Sequence, residues 1–283
     1  MARKKRINKI IIYILATLVL IGFVGPYLWM FTTALKSQGD VMAWPPQILP
    51  SEFRWDNFIR IWEGTILPTA FMNSVIVATT ATAINVFFAS LAAFAFARLE
   101  FPGRNGLFLG VLATMMVPAG LMVVPLFAMI RNVPFTGPAG WLDSYAGLII
   151  PTAVTGFAIF LLRQYFLSIP KDLDDQAAID GCTKFQVYWK IILPLSKPAL
   201  GLVAIFTFLA NWNEYLWHLT VARSESMYTI QIALARFQTE HNIEWSLIMA
   251  GATTAAIPMM ILYFTLQPLF DKGLGGIGSG MKE

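Results

Sequence analysis

The chain is short of charge, sulfur and imidazole. Of its 283 residues only 13% are Asp, Glu, Lys or Arg, about half the ~25% usual in soluble domains. One cysteine, Cys182, excludes an intrachain disulfide framework and any cysteine cluster for a metal. The two histidines, His218 and His241, are far apart in sequence and have no paired carboxylates beside them, so no metal site is expected. No G-x-x-x-x-G-K-[ST] occurs, which excludes ATP binding by a P-loop. G-x-G-x-x-G occurs at Gly273 to Gly278, with no strand before it and no helix predicted after it, so a dinucleotide site is excluded too. No nucleophile–base pair is in evidence, which argues against a membrane enzyme.

What the chain has is apolar length. It is 57% hydrophobic, and runs long enough to cross a hydrocarbon core of ~30 Å recur. Six are predicted, at about 9–34, 70–97, 106–130, 144–167, 198–220 and 245–270. The fold class expected is all-α, a polytopic membrane protein with six transmembrane helices forming a single domain over 1–283. The first run continues through Trp29 and Met30, beyond the ~7–15 residues of a secretory signal core, so it is expected to stay as a span.

Charge placement orients the spans. With the N-terminus inside, only Lys36, Arg54, Arg60, Arg131, Arg223 and Arg236 of the 20 basic residues fall outside. The positive-inside rule then places both termini in the cytoplasm. The basic start, Arg3 to Arg6, reads as contact with anionic lipid headgroups, not nucleic acid. The outer loops are 35–69, 131–143 and 221–244, and the cytoplasmic tail is 271–283. In the first outer loop Trp55, Phe58 and Trp62 sit at helical spacing, after an irregular, proline-rich cover.

One polar segment, 168–198, reads SIPKDLDDQAAIDGCTKFQVYWKIILPLSKP. Ile169 before Pro170 ends the fourth span. Asp172, Asp174 and Asp175 then suit the positive end of a new helix, and Gly181 is a natural stop. Thr183 and Gln186 have capping-box spacing. Phe185, Tyr188, Trp189 and Ile192 are expected to share one face, Pro194 to end this second helix, and Pro198 to open the fifth span. The segment is therefore a helix–turn–helix knob without chemistry of its own, suited either to a membrane interface or to a groove on a partner.

The fifth span carries FLANWNEYLWHL. Asn211, Glu214, Tyr215 and His218 are expected on one face, in the outer half of the membrane. With Trp212 and Asn213 they are candidate translocation-pathway residues, because an ionisable group in a span is a functional signal. Amides and rings together suit the hydroxyls and the apolar face of a sugar. A hydrogen-bond cluster between helices remains the alternative.

The knob resembles the E-A-A, three residues, G, nine residues, I-x-L-P pattern of permease subunits in binding-protein-dependent ABC importers. Asp175-Gln176-Ala177, Gly181, Ile191, Leu193 and Pro194 stand at that spacing, with Asp175 and Gln176 replacing the usual Glu and Ala. Asn73-Ser74, ARLEFPGR at 97–104, Arg163-Gln164, Trp212-Asn213-Glu214 and the glycine-rich C-terminus are similar to carbohydrate importers of the maltose and glycerol-3-phosphate type. Within that group the chain looks like the smaller, six-span permease of the bacterial inner membrane. The resemblance implies a second, homologous permease, two ATPase subunits and an extracytoplasmic solute-binding protein. This chain would have no cofactor of its own, ATP being bound by the ATPase subunits.

It further implies coupling residues Asp172, Asp174, Asp175, Ala177, Asp180, Gly181, Phe185, Ile191 and Pro194. Glu225, Arg236 and Glu240 would touch the binding protein, unless 221–244 is simply a solvated loop. The rival reading is an ion-coupled secondary transporter with Glu214 as relay. Such carriers often pair broken spans between two halves; Pro118, Gly120 and Pro125 are expected to interrupt the third span and Pro151 and Gly156 the fourth, but no convincing match between halves occurs here.

Overall fold

The computed structural model describes residues 2–134, 136–237 and 244–279, with backbone only for 2–8, 266 and 268–279. Among the described residues every regular element is a helix or helical turn. The chain divides into two compact units, one of residues 1–68 and 233–257, the other of 69–232 and 258–283.

The first unit is built on α1 (Ala2–Ala34). Its stretch Lys9–Ala34 is 26 residues of mean hydropathy 2.3, ~39 Å at 1.5 Å per residue. None of its apolar window is buried, as expected of a helix that meets hydrocarbon on all sides. The segment after it is more ordered than the prolines predicted. A short α2 (Gln38–Met42) is capped by Ser37, whose hydroxyl accepts from Asp40 N at 3.1 Å. The helix expected around Trp55–Trp62 forms as α3 (Asp56–Trp62). Buried Asn57 ties α3 back to the end of α1, its amide donating to Ala34 O at 2.9 Å and Lys36 O at 3.0 Å. Lys36 is itself buried, donating to Gln47 O at 2.5 Å, with its ammonium 4.3 Å from the Trp29 ring centroid.

The second unit contains most of α4 (Leu67–Arg98), a helix of 32 residues. The third span is not one helix. α5 (Arg104–Met115) and α6 (Ala119–Arg131) meet at 105°. The break falls at Met116–Pro118, where proline cannot donate to the preceding turn. The fourth span is α7 (Tyr145–Ile149), a 3-10 turn Ile150–Thr152, then α8 (Gly156–Ser168), bent by 46°. Gly156 lets α8 approach α5: a Cβ there would stand 3.0 Å from Met115 Cγ and from Thr114 Oγ1.

The polar segment follows as α9 (Asp172–Ile179), α10 (Lys184–Val187), a π turn Tyr188–Ile192 and α11 (Leu193–Leu195). α12 (Lys197–Asn213) turns away from it by 77°, with Pro198 in its first turn as expected. The fifth span also departs from the continuous 198–220 predicted. It stops at Asn213, and α13 (Leu216–Val221) starts afresh. The outer region 221–244 is not a plain loop either. It holds a 3-10 turn Glu225–Met227 and α14 (Ile230–Phe237), with Thr229, Ile230 and Ile232 buried. α15 (Trp245–Ser279) closes the described chain, so the glycines from 273 to 278 lie on helical backbone.

Small residues set the packing of the second unit. Ala89, Ala93 and Ala97 of α4 are buried in one apolar cluster with Leu162 and Phe166 of α8 and with Tyr188 and Ile192. Small side chains allow such backbones close approach where lipid gives helices no hydrophobic reason to associate.

Asn57→Leu leaves two buried carbonyls unpaired, at about 1–3 kcal/mol each. The expected outcome is faster proteolytic cleavage within 35–62 of the purified protein, and a cleavage rate equal to wild type would refute the role given to Asn57.

Candidate functional site

The polar knob is built locally. Ile169 is extended, at φ −75° and ψ 130°, and ends α8. Asp172, Asp174 and Asp175 occupy the first turn of α9, where carboxylates meet the unpaired N–H groups. Gly181 has φ +79°, the left-handed conformation that ends helices with little strain only for glycine. The capping box forms in full: Gln186 N donates to Thr183 Oγ1 at 3.3 Å and Thr183 N to Gln186 Oε1 at 2.8 Å.

Two expectations here are corrected. Pro194 does not end the second helix, which runs on to Leu195, because the π turn and α11 continue it and place the proline at the start of a new turn. Phe185, Tyr188, Trp189 and Ile192 do not share one face. Tyr188 and Ile192 are buried, whereas Phe185 is 64% and Trp189 55% exposed. Phe185 and Trp189 form one i, i+4 stripe and Tyr188 and Ile192 the adjacent one, and only the second enters the apolar cluster. The outer stripe stacks Phe185 on Trp189 at 6.5 Å between ring centroids.

Burial sorts the remaining predicted coupling residues. Asp172, Asp175, Asp180, Gly181, Phe185 and Pro194 are exposed. Ala177 turns inward into the apolar cluster, with Ile191 packed against that cluster. Asp174 also turns inward. Its Oδ2 lies 3.4 Å from Arg98 Nε, with the arginine side chain 2% exposed.

The second candidate is a cleft of about 810 Å³. Thr155, Thr207, Asn211 and Glu214 give it hydrogen-bonding groups, and Phe157 and Phe206 give it rings in edge contact, 5.8 Å between centroids. No Lys, Arg or His is among its lining residues.

The single helical face predicted for Asn211, Glu214, Tyr215 and His218 is not formed. The helix breaks at Glu214, which is extended at ψ 124°, so the register is lost after Asn213. Asn211 and Glu214 line the cleft. Tyr215 is 42% exposed, Asn213 is exposed and His218 is buried. Trp212 is buried against Phe208 and Phe71, with ring centroids 5.6 Å apart in each pair. Glu214 Oε1 accepts from Trp217 N at 2.9 Å, so its carboxylate serves the start of α13.

Residues that the sequence reading passed over complete the cleft wall. Asn85 of α4 is wholly buried. Its amide donates to Thr207 Oγ1 at 2.8 Å and Thr155 Oγ1 at 3.2 Å, and its carbonyl accepts from Thr155 N at 3.1 Å. Thr155 in turn caps α8, accepting from Ala158 N at 3.3 Å. A lone amide in an apolar run was the available signal.

On the outer side, Asp143 accepts from Arg223 N at 2.8 Å, Ser224 N at 3.0 Å and the Ser224 hydroxyl at 2.7 Å. Burial favours the neutral acid there. The hydrogen bonds from Ser224 and Arg223 outweigh it and hold the carboxyl below its ordinary pKa. Asn73 donates to Ser226 O at 2.8 Å and Tyr228 O at 2.9 Å. These bonds tie down the turn that presents exposed Glu225. Arg236 is exposed on α14, and Glu240 lies outside the described residues.

Up to six apolar spans, three of them bent, with a hydroxyl- and amide-lined cleft within the second unit, make this a polytopic membrane protein. A family model described as "Binding-protein-dependent transport system inner membrane component" matches residues 85–276. The chain belongs to this family and is a multi-pass protein of the bacterial inner membrane. The arabinooligosaccharides transport system permease protein AraQ of Halalkalibacterium halodurans is 34% identical, over 93% of this chain and 97% of that one. The trehalose transport system permease protein SugB of Mycobacterium tuberculosis is 34% identical, over 92% and 94%. A crystal structure of a bacterial ABC transporter for import of the acidic polysaccharide alginate contains a chain of the same fold. Its TM-score is 0.83 at 24% identity, covering 95% of this chain and 98% of that one.

Glu214→Ala removes the acceptor for Trp217 N–H and is expected to cost about 0.5–2 kcal/mol. Glu214→Gln keeps an acceptor. Thermal unfolding in detergent is expected to give a lower Tm for Ala than for Gln, with Gln near wild type. Equal losses in both would mean that the charge, not the cap, is what the site needs.

Proposed function

We infer that this chain is the permease subunit of an ATP-driven importer, and that it passes a neutral sugar or oligosaccharide handed over by an external binding protein. The knob carries this reading. Asp172, Asp175, Asp180, Phe185 and Trp189 project from an ordered helix–glycine–helix segment held against α4 and α8, and Ile179 at its tip is 86% exposed. An ordered segment with apolar and acidic side chains turned outward is suited to a groove on another protein. Family membership supports an ATPase subunit as that protein, with a second permease and a binding protein completing the assembly. The basic residues crowd the side of the knob, which supports a cytoplasmic position for it and for both termini.

The mechanism is alternating access. ATP binding draws the motor subunits together and the knob moves with them. The bent spans then open the cleft outward to receive solute, and hydrolysis returns them. The knob transmits force and does no chemistry. Asn211, Trp212, Asn213, Glu214 and Tyr215 remain the pathway candidates, with Asn211 and Glu214 best placed for contact because they line the cleft.

The solute class follows from the same wall. Threonine hydroxyls, an amide, one carboxylate and two phenyl rings suit a polyhydroxylated, uncharged molecule. A carboxylate with no cation beside it opposes an anionic one. AraQ and SugB, named for arabinooligosaccharides and trehalose, agree with this class. On the outer side, Glu225 and Arg236 are the available contacts for the binding protein, with Glu240 as a further candidate.

Reconstitution tests the whole reading. Import into proteoliposomes is expected only with the second permease, the ATPase subunits, the loaded binding protein and ATP together, and import without ATP would overturn it. Gly181→Val tests the knob. It forces a β-branched residue to φ +79°, at roughly 1–2 kcal/mol. It is expected to insert normally but to lose co-purification with the ATPase subunit, and undiminished co-purification and transport would count against the docking role.

A further inference from the structure

Five polar residues of α4 are buried or nearly so, and each bonds a segment that the importer reading makes functional. Near the end of α4, Arg98 engages Asp174 of α9 at 3.4 Å and donates to Ile169 O at 2.7 Å. Eight residues back, about 12 Å along the axis, Ser90 Oγ and the Tyr188 hydroxyl are 2.8 Å apart and wholly enclosed. The knob is therefore bonded to α4 through both of its helices.

Farther along, Asn85 bonds Thr155 and Thr207, which line the cleft. At the far end, Asn73 holds Ser226 O and Tyr228 O, and Ser74 Oγ accepts from Ile230 N at 2.8 Å. The spans α5–α6, α7–α8 and α12–α13 are interrupted, whereas α4 runs unbroken through all four attachment points.

We propose that α4 is the rod that carries displacement of the knob to the cleft and to the outer turn, with Arg98, Ser90, Asn85 and Asn73 as its positioning residues. This rests on the importer reading, because it needs a motor under the knob. A continuous helix resists bending and stretching, since every backbone bond within it opposes both. A side-chain bond at each attachment converts the motion of one neighbour into motion of the next. The apolar cluster holds the knob on the bundle by non-directional contacts. The Ser90–Tyr188 and Arg98–Asp174 contacts fix the register at which the knob grips the rod.

A purely structural role for these bonds predicts less assembled complex, with each assembled complex working as well as before. The decisive quantity is therefore solute imported per ATP hydrolysed, measured in proteoliposomes for the assembled complex. Ser90→Ala, Tyr188→Phe and the double variant form a cycle. Each single variant is expected to lower the ratio about threefold to tenfold, the range of one lost hydrogen bond. The double variant is expected to fall no further than the lower single, because both residues act through one contact.

Asp174→Asn provides an independent arm if the Ser90 variants do not assemble, and the ratio is expected to fall there too. Ratios equal to wild type, or losses that multiply in the double variant, would overturn the rod. ATP-dependent import by the wild-type complex alongside unchanged ratios in the variants sinks the rod alone. ATP-independent import by the wild-type complex sinks the importer reading and the rod together.

Discussion

A helix broken inside hydrocarbon leaves backbone groups that no water can satisfy, and this constraint organises the second unit. The fourth span breaks before Gly156, and Thr155 with Asn85 pairs the groups exposed there. The fifth breaks after Asn213, and Glu214 pairs the Trp217 N–H in the first turn of α13. Both repairs use polar side chains in the membrane, and Thr155 and Glu214 line the same cleft, with Asn85 buried behind Thr155. The breaks and the polar wall of the cleft thus share residues. At both interruptions a side chain that mends the backbone, Thr155 or Glu214, also faces the cleft.

The same logic separates the two ends of the knob. Its inner stripe, Ala177, Tyr188 and Ile192, joins the apolar cluster under α4, while Phe185, Trp189 and Ile179 stay outside. The positive φ of Gly181 and the capping box at Thr183 fix the angle between its helices without help from a partner. A knob ordered in this way presents a ready surface, so little ordering entropy is lost when it docks. Exposed aromatics grouped in this way are costly on an isolated chain and are the kind of patch that marks a protein or membrane contact.

Much of this was legible in the sequence where the signal is local. The stop at Ile169–Pro170, the glycine turn and the capping box each depend on residues within one or two turns of one another, and each took the form expected, whereas of the six apolar runs three are bent and the fifth stops at Asn213. The third-span break was visible as Pro118, but its 105° angle was not, because a proline marks a break without setting its direction. The break at Glu214 had neither proline nor glycine beside it, and the helical face drawn through Asn211, Tyr215 and His218 failed for that reason. Asn85, Ser90 and Arg98 were legible only as polar residues in or beside an apolar run. Their partners lie about 70 to 120 positions away, and nothing in spacing or propensity names them. The stripe through Phe185 and Tyr188 divided because packing, not periodicity, decides which of two adjacent stripes is buried.

The central claim is that the knob and α4 move as one body when the motor works. Spin labels at Asp175 on the knob and Phe88 on α4, in a Cys182→Ser background, measure this directly by pulsed dipolar spectroscopy of the assembled transporter. Both positions are exposed. The account predicts one distance, the same in nucleotide-free and ATP-trapped complexes, while the distance from Phe88 to the second permease changes. A knob-to-α4 distance that shifts with nucleotide state in a transporting complex would contradict it.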